Sequence, residues 1–66
     1  MNIKFLEDIT VSFRDHSHYD PENLILREIK KGTYYSNVTI IENHIVHSNG
    51  DIFYGVPGRF YKIYKQ

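Results

Sequence analysis

The 66 residues predict a single, mostly β, antiparallel domain. Three observations carry that expectation. The composition holds nine Ile and six Tyr and no Ala, a bias toward strand-forming side chains. The stretch "ITVSF" alternates apolar and polar residues, the period of a half-buried strand. Turn signals such as Asn49-Gly50 and Pro57-Gly58 recur at short spacing through the second half.

Taken in order, residues 9–13 form the first strand, with Ile9, Val11 and Phe13 on one face. The segment "DPENLILREIKKG" is ambiguous. Read as a hairpin, "DPEN" is a turn and "LILREI" a strand. Read as an α+β alternative, residues 21–31 are a helix packed on an antiparallel sheet. Asp20 is then the N-cap, Pro21 opens the first turn and Gly32 ends the last. A meander follows: Val38 to Ile41, a tight turn at Glu42-Asn43, and a return strand from His44 to His47. Asn49-Gly50 predicts a type I′ hairpin, in which both residues take positive φ. Ile52 to Tyr54 pairs back, and "FYKIY" is the last strand. The predicted core is Ile9, Val11, Phe13, Ile29, Val38, Ile40, Ile45, Ile52, Val56 and Ile63.

A chain this short buries only about 60% of the surface its unfolded form exposes. It has no cysteine, so neither a disulfide nor a thiolate zinc site supports it. No apolar run approaches the roughly 20 residues of a membrane span, and "MNIKFLEDIT" is too acidic for a signal peptide. The expectation is a cytoplasmic protein. The Ile, Asn, Tyr and Lys bias suggests AT-rich coding, as in a bacteriophage or a low-GC bacterium. Residues 1–28 carry six acids against three bases, a balance of −3. Residues 29–66 carry five bases against two acids, a balance of +3. The two halves complement each other within one fold.

A second-half pattern resembles the Src-homology-three-like small barrel. Ile29, Lys31 and Gly32 match that family's apolar residue and Lys-Gly turn. Gly55, Val56, Pro57, Phe60 and Ile63 match its Gly-apolar-Pro segment and the aromatic 3₁₀ turn that follows. The resemblance spans residues 9–64 and implies that residues 13–24 form the long first loop. It also implies a ligand-facing mouth at Pro57 and Phe60, flanked by Tyr19 and Tyr54. The family's paired tryptophans are absent, the nearest residues being His47 and Phe53, so the resemblance does not extend to proline-rich ligands.

The histidines invite a metal reading. His16-x-His18 lies beside Asp15 and Asp20, and His44-x-x-His47 follows. Residues three apart in a strand face opposite ways, and no zinc-finger spacing is present. No metal site and no cofactor are therefore expected. Ser17 lies between histidines, but neighbours on an extended chain point apart, so no nucleophile meets a base. No phosphate loop, HExxH or paired-carboxylate motif appears, and a non-enzyme is expected.

More aromatics are present than a small core needs, and partly exposed Tyr suits recognition. The expected function is a protein-binding module, such as a phage-type inhibitor or adaptor docking on a larger protein. Its contact residues would be Tyr19, Tyr54, Pro57, Phe60 and Tyr61, with Arg59, Lys62 and Lys65 steering by charge. The alternative is a nucleic-acid-binding barrel using Tyr stacking and the C-terminal basic residues. Zero net charge weighs against it.

Overall fold

The computed structural model describes residues 1–16 and 24–64. Within them the chain forms eight strands and one 3₁₀ turn. The strands are β1 (Asn2–Phe5), β2 (Ile9–Arg14), β3 (Ile25–Ile29), β4 (Tyr34–Tyr35), β5 (Val38–Ile41), β6 (His44–His47), β7 (Ile52–Tyr54) and β8 (Tyr61–Tyr64). The 3₁₀ turn, Gly58–Phe60, leads directly into β8. Two antiparallel sheets result, in the orders β4-β1-β8 and β3-β2-β7-β6-β5. Among the described residues no ladder joins them into a closed barrel.

Residues 25–29 are strand, so the helix alternative fails there. Pairing of β2 with β3 sets Ile9 opposite Ile29 and Phe13 opposite Ile25. As a strand, β3 satisfies the backbone of β2 and buries Ile29. Local helix caps contribute about 1 kcal/mol and cannot compete with a whole ladder. The "DPEN" turn lies outside the described residues.

The hairpin at Asn49-Gly50 differs from the type I′ expectation. Gly50 has φ +98°, but Asn49 does not have a positive φ. Gly50 N–H donates to His47 O at 2.9 Å, and His47 N–H donates to Asp51 O at 2.9 Å. The loop therefore has three residues and ends in a left-handed glycine, the bulged form of hairpin. Asn49 Oδ1 accepts from Asp51 N–H at 2.9 Å, a role for Asn other than positive φ.

The core consists of Ile3, Phe5, Val11, Phe13, Ile29, Val38, Ile45, Phe53, Val56 and Tyr61. Ile9 and Ile40 are only partly buried against it. Two expected members are displaced. Ile52 is half-buried on the outer face, because Phe53 pairs with both Phe13 and Ile45 on the inner one. Ile63 shares the inner face with Tyr61 but is 49% exposed, since β8 is an edge strand with one open flank. Ile3 and Phe5 complete the core from β1, a strand the alternation in residues 9–13 did not announce.

A run of rings joins the two sheets. Phe13 packs on Phe53 at 5.1 Å and Phe53 on Tyr35 at 5.2 Å between centroids. Tyr35 meets Phe5 edge-on at 6.2 Å, and Phe5 meets Tyr61 at 6.0 Å. Such tilted and edge-on pairs suit the ring quadrupole.

Candidate docking cleft

Three turns meet at one end of the three-stranded sheet. The β1–β2 turn (residues 6–8) is held to the 3₁₀ turn by Leu6 N–H donating to Phe60 O at 2.8 Å. Gly32 N–H donates to Phe5 O at 2.8 Å, and Phe5 N–H donates to Thr33 O at 2.8 Å. Asp8 Oδ1 accepts Lys31 N–H at 2.6 Å, fixing the Lys31-Gly32 turn against it. Gly32 has φ +90°, a conformation that favours glycine.

Leu6, Glu7, Asp8, Lys31 and Phe60 line an open cleft of about 540 Å³ between these turns. Leu6 is exposed and Phe60 half-buried, so two apolar side chains stand among charges of both signs in a mostly polar cleft. The Arg59 guanidinium lies 5.0 Å from the Phe60 ring centroid, within cation–π reach. Lys62 Nζ lies 5.4 Å from the Tyr64 ring centroid.

The expected contact residues are placed unequally. Phe60 is in the cleft and Pro57 is half-buried just before the 3₁₀ turn. Tyr54 does not line the cleft; its ring stands edge-on to His44 at 5.0 Å. Tyr61 is buried against Phe5 and belongs to the core, which corrects its expected place on the surface. It cannot serve as an exposed anchor because strand alternation turns it inward. Arg59 and Lys62 are exposed. Tyr19 and Lys65 lie outside the described residues. Leu6, Glu7, Asp8 and Lys31 were not among the expected protein-contact residues. No sequence signal joins them, because Asp8 and Lys31 are 23 residues apart and meet only in the fold.

The first histidine pair needs a different correction. Among the described residues, Asp15, His16 and Asp51 bring ligand-type atoms within 4.8 Å of one another, although sequence spacing showed no convergent set. Residues 35 apart meet because β2 pairs with β7 and the β6–β7 loop turns beside the end of β2. The atoms are already engaged with one another. Asp51 Oδ1 accepts from His16 N–H at 2.9 Å and lies 2.8 Å from His16 Nδ1. Asn49 Nδ2 donates to Asp51 Oδ2 at 3.1 Å. A Cβ on Gly50 would stand 3.0 Å from His16 Cβ, so glycine permits the close approach. This arrangement is a hydrogen-bonded clamp between the end of β2 and the β6–β7 loop. His18 and Asp20 lie outside the described residues. His44 and His47 face opposite sides of β6, contacting Tyr54 and Tyr35 respectively.

The hydrogen bond to Asp51 raises the His16 imidazole above its ordinary 6.5, slight desolvation opposes it, and the Asp15 and Asp51 charges add to the rise. Burial pushes the Asp51 carboxyl up. The His16 N–H and ring and the Asn49 amide more than offset it and hold the carboxyl below its ordinary 3.8. The clamp therefore contributes fully above about 3.8 and below about 6.5. Its contribution is lost upward through the raised His16 pKa and downward through the lowered Asp51 pKa. Thermal melts at pH 6 and pH 8 should show a larger fall for the native chain than for His16→Ala. Equal falls would mean that the clamp does not bear on stability.

No protein-family model, curated protein or solved structure matches the chain.

Proposed function

We propose that the chain is a small, non-enzymatic protein-binding module, docking on a larger protein through the cleft around Phe60. The observation that carries the reading is the Phe60 ring itself. It is half-buried beside Leu6 in an open cleft, with Glu7, Asp8, Lys31 and Arg59 around it. An aromatic anchor within a polar rim is the usual anatomy of a binding hot spot. A Src-homology-three-like barrel is the proposed architecture. Support for it comes from the first strand pairing with the last, the Lys31-Gly32 turn, and the 3₁₀ turn directly before β8. The proposed form is a phage-type inhibitor or adaptor acting in the cytoplasm.

The test is capture of a partner from lysate by the native chain and by Phe60→Ala, followed by affinity measurement on whatever is captured. Loss of a hot-spot ring costs about 2 kcal/mol, so a roughly thirtyfold weakening with an unchanged melt is expected. Replacing Arg59 and Lys62 together should alter mainly the association rate. A partner held equally by Phe60→Ala would overturn the reading. The pairing of Lys62 with Tyr64 keeps nucleic acid as the second reading. Binding of a labelled single-stranded oligonucleotide with a steep salt dependence, lost on removing the basic residues, would favour it.

A further inference from the structure

We propose that β3 is a self-association edge, through which two copies of the chain pair their five-stranded sheets antiparallel about a two-fold axis. β3 ends its sheet, and among the described residues nothing pairs with its outer side. Free edges are ordinarily kept short or protected by charge, proline or a bulge. β4 is two residues long, and β8 carries Lys62. β3 is five residues long and opens on two exposed apolar residues, Ile25 and Leu26, with exposed Leu24 just before them. Leu24 is 46%, Ile25 53% and Leu26 76% exposed. Its charges are partly engaged within the chain: the Arg27 guanidinium lies 4.6 Å from the Phe13 ring centroid, and Glu28 pairs with Lys30 at 3.1 Å.

The residue order selects both the occupant and the register. Alternate residues of a strand direct their backbone groups to the same side, so a two-fold antiparallel pair must centre on one residue opposite itself. Centring on Arg27 or Glu28 sets like charges face to face, which is unfavourable. Centring on Ile25 overlaps only residues 24–26 among those described as continuous with the strand. Centring on Leu26 pairs residues 24–28 of both copies. Leu26 then opposes Leu26, Ile25 opposes Arg27, and Leu24 opposes Glu28. The four leucines gather on the sheet face away from the core, since Ile25 and Ile29 share the inner face with Phe13 and Ile9. The aliphatic stem of Arg27 covers Ile25 on the other face. Two such edges fall short of the roughly 1,600 Å² of a standard interface. The dimer is therefore weak and concentration-dependent.

Sedimentation equilibrium of the full chain should show a monomer at low micromolar concentration and a dimer as it approaches millimolar. Leu26→Lys places two charges opposite each other at the axis and should weaken dimerisation at least about tenfold. Circular dichroism should show it folded, because Leu26 is 76% exposed. The chain has no native cysteine, so Leu26→Cys gives a second readout that does not depend on that variant. Under mild oxidation it should cross-link to dimer, whereas Thr39→Cys on the β5 edge should not. A native chain monomeric throughout, a dimer that survives Leu26→Lys, or equal cross-linking at both positions would overturn the proposal. None of these outcomes depends on Phe60 or on a partner protein.

Discussion

Phe53→Ala is expected to remove a large share of the chain's stability at 25 °C. Phe53 is buried, touches Phe13 and Tyr35, and links the ring contacts of the two sheets. Truncating a buried Phe to Ala costs about 3–5 kcal/mol, lost transfer energy and cavity together. A chain of this size has roughly 3–10 kcal/mol to lose, at about 0.05–0.15 kcal/mol per residue. Ile52→Ala, one residue away, should cost only about 1 kcal/mol, because Ile52 is half-buried on the outer face. Urea titration of both variants checks the contrast. Equal costs would show that the register of β7 is other than described.

Tyr61→Ala should also destabilise strongly, by about 3 kcal/mol. Tyr61 is 9% exposed, and its ring packs edge-on to Phe5 across the β1–β8 pair. Tyr61→Phe keeps the ring and should cost well under half as much. Any binding defect of Tyr61→Ala should therefore follow its unfolding and disappear in Tyr61→Phe. Burial also raises the Tyr61 hydroxyl pKa above its ordinary 10.0. The fold favours the protonated ring, so this contribution is intact below about 10 and lost as pH rises through the raised value. An alkaline melt that falls less in Tyr61→Phe would register it.

The strands that were legible in the sequence are those whose local pattern had only one reading. Residues 9–13 alternate over a full strand, and the segments around Glu42-Asn43 and Asn49-Gly50 are bounded by turn formers. Strand β1 alternates as well, with Ile3 and Phe5 inward, but four residues are too few to separate from chance. In β7 both Ile52 and Phe53 are apolar, so only pairing with Phe13 and Ile45 decides which turns inward. The cleft was legible at Phe60 alone. Its other walls come from the β1–β2 turn and from Lys31, positions joined by backbone contacts between distant segments. The Asp15–His16–Asp51 group was hidden for the same reason. Nothing at residue 16 indicates that residue 51 folds beside it.

The pairing of β1 with β8 has a kinetic consequence. Phe5 sits opposite Tyr61, so the first strand cannot be closed on that side until the last has been made. Chains whose contacts join distant residues fold slowly, because the entropy of closing the loop is lost before the contact compensates for it. This domain is therefore expected to refold in milliseconds to seconds rather than microseconds. On the ribosome, β4 can cover one side of β1, while the side that faces β8 stays open until β8 emerges.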